Sequence, residues 1–174
     1  MKVETETIKN EVFTNEEGTN RYLLQRRWGE SNTAIVAVIT LKPVSVNPLH
    51  NDLTTMLMQN HVADMGYKGF IALNLVSGIS MSNKVSETLS DREIENELLK
   101  EALNKKEVQQ VIVACGSSVS KKGYPQERLK EILNLLTKTN KEKVVVIVDD
   151  EDKPIYPLVP SIRNQPWILK KIKL

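Results

Sequence analysis

Four short apolar runs constrain this chain more than any other feature. Residues 34–41 read Ala-Ile-Val-Ala-Val-Ile-Thr-Leu, 70–75 Phe-Ile-Ala-Leu-Asn-Leu, 111–115 Val-Ile-Val-Ala-Cys and 144–148 Val-Val-Val-Ile-Val. Most are rich in β-branched residues, which suit a pleated backbone, and none alternates strictly with polar residues. Strands that read this way need apolar cover on both faces. Helical patterns lie between them. Residues 51–64 place Leu53, Met56, Leu57, Asn60 and Val62 near one helix face. Ser90-Asp-Arg-Glu93 is a capping-box pattern ahead of Ile94, Leu98, Leu99 and Ala102. Pro125 suits the first turn of a helix carrying Leu129, Ile132, Leu133 and Leu136. Repeated strand, helix and strand predict a three-layer α/β/α fold around a central, mainly parallel four-stranded sheet. Gly18 predicts a turn before a further short or edge strand at residues 21–25.

The chain's 174 residues fit one domain, 1–174, with residues 1–18 as an extension and 168–174 as a basic tail. Net charge is +2, so the chain is not a polycation, but charge is unevenly spread. Residues 1–20 hold five acids and two lysines, whereas 161–174 hold Arg163, Lys170, Lys171 and Lys173 and no acid. A basic tail can track phosphates, or it can be a solvated terminus. No run approaches the ~20 apolar residues that span a bilayer. The first ten residues lack the apolar core of a secretory signal, so a cytoplasmic protein is expected. One cysteine and two histidines argue against a zinc site, and no cofactor is expected.

Parallel sheets bind ligands where strands end, which nominates residues 42–52, 74–80, 115–120 and 149–167. Asn74 closes its strand inside an apolar run. Its amide either ties loop backbone together or reads a ligand's donor–acceptor edge. Lys42 is a phosphate ligand or a solvated loop residue, and Pro43 holds it extended. The following Val44-Ser45-Val46-Asn47-Pro48 has no glycine and so lacks a phosphate-cradling loop. Gly116 permits a tight turn, while Cys115 reads as a buried, inert thiol because no histidine has a spacing that suggests pairing. The acids 149–152 form either a divalent-ion site or a solvated turn. Trp28 and Trp167 read as packing anchors.

These segments follow one another in a telling order. Arg21-Tyr-Leu-Leu-Gln-Arg-Arg-Trp28 opens it. Leu41-Lys-Pro-Val44, Asp52-Leu-Thr54, Gly66-Tyr67, Asn74-Leu-Val76, Ala114-Cys-Gly116 and Pro154-Ile-Tyr-Pro-Leu158 follow. The succession resembles a bacterial family known only as a domain of unknown function, and is distantly similar to the uracil-DNA glycosylase superfamily. That resemblance implies a uracil-DNA glycosylase-like fold. It puts Lys42 at the water-activating position, Asn74 at the base reader, Cys115-Gly116 at a Trp-Gly pair and Tyr156-Pro157 at a His-Pro pair. A protonated lysine cannot deprotonate water, and a neutral phenol stabilises a departing anionic base less well than an imidazole donor. The expectation is therefore a catalytically degenerate binding protein that uses Lys42, Pro43, Asn74, Cys115, Gly116, Tyr156 and Pro157. Its partner would be DNA, gripped also by Lys121, Lys122 and the tail, or an acidic inhibitor protein that mimics DNA. The alternative is an active hydrolase of an N-glycosidic bond, with Asp52, or after it Asp149 or Asp150, as substitute base. A small-molecule nucleotide binder is a third possibility.

Overall fold

The computed structural model describes residues 1–29, 33–79, 89–120 and 122–171. The four apolar runs supply β3 (Ile35–Thr40), β4 (Gly69–Asn74), β5 (Val108–Val113) and β6 (Val144–Val148). They lie side by side, with β3 parallel to β4 and β5, and β5 parallel to β6. The sheet is nonetheless seven-stranded and mixed, which corrects the expectation of four strands. The additions are β1 (Ile8–Thr14), β2 (Arg21–Trp28) and β7 (Ile168–Lys171), in the order β1-β2-β4-β3-β5-β6-β7. All three pair antiparallel with their neighbours.

Each addition revises a sequence expectation. Residues 1–18 are not simply an extension, because β1 pairs with β2 along its whole length. The turn between them holds Gly18 at φ +66°, as expected of a residue without a Cβ. Nor is β2 an edge strand: it lies between β1 and β4, and its residues are buried except Arg27. Arginine obscured it, since Arg21 and Arg26 look like surface residues but are 6% and 2% exposed. The basic tail is largely β7, whose backbone groups pair with β6. Lys170 ion-pairs with Asp152, and β7 runs from Ile168 beside Val148 back to Lys171 beside Val145. The tail therefore leads away from the carboxyl ends of the parallel strands. Lys121 and Lys173 lie outside the described residues.

Successive side chains of a strand point to opposite faces, and both faces here are apolar. Val36, Val38, Phe70, Ala72 and Ile112 pack with Met58 and Val62 of α1 (Leu53–Asp64) and with Ile162 of α5 (Pro160–Arg163). Ile35, Ala37, Ile39, Ile71 and Leu73 pack with α2 (Leu89–Leu103) and α3 (Tyr124–Asn134). A four-residue helix, α4 (Lys138–Lys141), precedes β6. The α1 stripe differs from the expected one. Thr55, Leu57, Met58, His61 and Val62 face inward, while Leu53 and Met56 are 41% and 44% exposed. Helix α2 begins at Leu89, which puts Ser90 inside it rather than at the cap.

Two polar anchors join these layers. Arg128 on α3, 1% exposed, ion-pairs with buried Glu95 on α2 at 2.9 Å and bonds Asn96 at 2.7 Å. His61 stacks on Trp167 with ring centroids 4.4 Å apart, and so helps seat the segment after α5 on α1. Among the described residues, no helix is long and apolar enough to cross a membrane.

Candidate functional site

Topology places a crevice at the end of β3. The connection leaving β3 passes to the face covered by α1. Those leaving β4 and β5 pass to the face covered by α2 and α3. Loops that depart in opposite directions open the sheet's carboxyl edge between them. Thr40 ends β3 beside Asn74 at the end of β4. The parallel path continues briefly beyond, with Leu75 N–H donating to the Thr40 carbonyl and Val76 N–H to Leu41, each at 2.9 Å.

The buried Asn74 amide is held at both ends. Its Nδ2 donates to Thr40 Oγ1 at 2.6 Å, and its Oδ1 accepts from Arg21 Nη2 at 3.2 Å. Arg21 reaches this edge because β2 is antiparallel and starts where β4 ends. Its Nη1 donates to the Ser45 carbonyl at 3.0 Å. Burial lowers the Arg21 pKa from its ordinary value; Asp52 opposes that shift and Arg26 adds to it. Arg26 donates to Asn51 Oδ1 and Gln59 Oε1, both at 2.7 Å, and so ties the loop after β3 to β2. Two buried cations thus underlie the loop that carries Ser45, Asn51 and Asp52.

Asp52 caps α1. Its Oδ1 accepts from Thr55 N–H at 3.1 Å and its Oδ2 from Thr55 Oγ1 at 2.7 Å. Two residues on, Thr54 Oγ1 lies 3.3 Å from Tyr156 Oη. Burial pushes the Tyr156 phenol up; the Thr54 hydrogen bond opposes this, and Asp52 and Cys115 reinforce it. Gly116 packs under Tyr156 at φ +59°, where an added Cβ would lie 3.1 Å from both the backbone N and the Cβ of Tyr156. Cys115 Sγ donates to the Ile39 carbonyl at 3.3 Å, and burial raises its thiol pKa to about 12. Asp52, Cys115, Gly116 and Tyr156 therefore gather, with Asn74 and Arg21 alongside. Pro43 and Pro157 are buried, and Lys42 is exposed at the same edge.

An open depression of about 500 Å³ adjoins this cluster, lined by Val44, Ser45, Leu49, His50, Asn51 and Asp52. Ser45 Oγ lies 3.0 Å from His50 Nδ1, and Asn47 Nδ2 lies 3.3 Å from His50 Nε2. Val44 and Leu49 are 63% and 79% exposed. In the sequence alone no site role falls to Arg21, Thr40, Ser45, His50 or Thr54. The five-residue spacing of Ser45 and His50 in one loop was the available signal, and Arg21 opened a recognised motif. The acids 149–152 form a turn: Asp149 accepts from Glu151 and Lys153 N–H, and Lys153 pairs with Glu151. Among the described residues, no three His, Cys, Asp or Glu side chains are grouped to hold a metal ion.

A sheet with helices on both faces and a polar cluster at the part of its carboxyl edge where connections diverge defines an α/β protein with a candidate site at that edge. The chain belongs to the family described as protein of unknown function (DUF1643), whose model matches residues 21–158. No curated protein and no solved structure matches it.

Proposed function

We propose that this chain is a uracil-DNA glycosylase-like binding protein that holds DNA, or an acidic protein mimicking DNA, without cleaving an N-glycosidic bond. The observation that carries the reading is the pairing of an open, apolar-rimmed depression with site groups already held by the protein. Exposed Val44 and Leu49 border the depression, and exposed apolar side chains around a concave surface mark a contact face. Arg21 and Arg26 lie beneath it and favour an anionic partner. Behind it, Asp52 is held by Thr55, Asn74 by Thr40 and Arg21, and Cys115 is a protonated thiol. None of these is poised to activate water. The α/β/α layering and the positions of Asn74, Cys115-Gly116 and Tyr156-Pro157 support a glycosylase-like scaffold.

Titration of a labelled single-stranded oligonucleotide, followed by anisotropy, tests the binding. Saturable binding that weakens with added salt and is reduced by Leu49→Ser supports the reading. Binding that ignores the 44–52 loop contradicts it. One observation favours a second reading, hydrolysis of the N-glycosidic bond. His50 lies in the same depression beside Ser45 and Asp52, and an imidazole there could serve as the general base that Lys42 cannot. Base release lost in His50→Ala would establish that reading.

A further inference from the structure

A second concavity, which shares no lining residue with the 44–52 depression, lies on the sheet face covered by α2 and α3. Its volume is about 570 Å³, within the range of small-molecule sites. Leu129 and Leu133 of α3, Val119 of the 3-10 turn Gly116–Val119, Val146 of β6 and Pro154 give it an apolar lining. Its origin is topological. Helix α3 is the last long helix described on this face: the four-residue α4 follows it, α5 packs on the other face, and β6 leads by a loop to the antiparallel β7. Val146 of β6, 6% exposed, lies at the base of the groove and α3 forms one wall.

Charge is sorted around the groove. The polar α3 residues on its wall are Gln126, Lys130 and Asn134, spaced four apart on one helix stripe. Lys141 also lines it, with Nζ 3.3 Å from Asn134 Oδ1. Among the described residues, no carboxylate lines it. On α3, Glu131 turns instead toward Asn96 and Arg128. The acids near Pro154 are held in their own turn or paired, Glu151 with Lys153 and Asp152 with Lys170. The result is an apolar trough with two cations at its border.

From this arrangement we infer that the groove between α3 and β6 is a binding site for a small amphipathic acid, an apolar body ending in one carboxylate. The body lies along Leu129, Leu133 and Val119 over Val146, and the carboxylate meets Lys130 and Lys141. This site is independent of the proposed DNA-binding face.

Decanoate serves as the probe, followed by titration calorimetry and by backbone amide shifts of the labelled full chain. Saturable binding is expected, with shifts concentrated at Val119, residues 129–134 and Val146. The double change Lys130→Glu with Lys141→Glu should weaken it by about tenfold, since these partly solvated pairs contribute modestly. Val119→Glu, which sets a charge in the apolar lining, should remove it, and 1-decanol should bind more weakly than decanoate. Both lysines lie on the surface side of their helices, so the double variant should fold; an unchanged melting temperature checks this. The inference is overturned by absence of saturable binding, by shifts centred on α1, or by binding indifferent to the charge reversal.

Discussion

Arg21 donates a 3.2 Å hydrogen bond to the side-chain oxygen of Asn74, joining the start of β2 to the end of β4. Both residues are buried, so the amide is a structural tie as well as a candidate ligand group. Replacing Asn74 by alanine leaves Thr40 and Arg21 with unmet polar atoms. The expected loss is about 1–3 kcal/mol in urea unfolding. Asn74→Asp keeps the acceptor for Arg21 and should lose less.

Gly116 tests how closely the loop after β5 must approach Tyr156. Alanine there meets both a left-handed φ of +59° and contacts of 3.1 Å. Destabilisation of at least ~1–2 kcal/mol is expected from the backbone alone. A further loss of the proposed DNA binding would show that Tyr156 had moved with it.

Cys115 should resist aromatic disulfide reagents in the native state at pH 8 and react once the chain unfolds. Its thiol titrates at about 12 in the fold against an ordinary 9.0. The folded state therefore keeps a proton that the unfolded chain releases. Its contribution to stability is complete below pH 9 and is lost as pH rises toward 12, at about 1.4 kcal/mol per unit. Tyr156, also raised, acts in the same direction above its ordinary 10.0. Chemical denaturation between pH 8 and 11 checks the slope, which Cys115→Ala should reduce.

Arg128 anchors α3 to α2 through Glu95, and both are nearly inaccessible to solvent. Arg128→Met removes the 2.9 Å ion pair of buried Glu95, leaving Arg92 at 4.0 Å, and should destabilise by up to about 3–5 kcal/mol. Adding Glu95→Leu should restore much of that, because an apolar pair removes the desolvation penalty of both charges. Two unfolding curves against the parent chain decide it.

Much of the central sheet was legible because strands covered on both faces leave an unmistakable apolar record, as at residues 34–41 and 144–148. The outer strands were not. β2 carries Arg21, Gln25 and Arg26 inward, where Glu11, Asn51, Gln59 and Asn74 satisfy them, and no local pattern announces such partners. β1 and β7 are edge strands with mostly exposed side chains, and their pairing depends on neighbours distant in the chain. On α1 the expected stripe holds for Leu57 and Val62 but not for Leu53 and Met56, which are left outside. In the site, the carboxyl-edge rule located Asp52, Asn74, Gly116 and Tyr156. It did not reveal that Arg21 arrives from an antiparallel strand or that His50 folds back on Ser45.

Base release from uracil-containing single-stranded DNA is the most direct test of the proposal that the chain binds without turning over. The oligonucleotide is held at concentrations that saturate binding by anisotropy, and free base is quantified over hours. We predict no release above the protein-free control, for the parent chain and for Asp52→Ala and His50→Ala alike. Release by the parent chain that disappears in either variant would contradict the account and establish an active glycosylase.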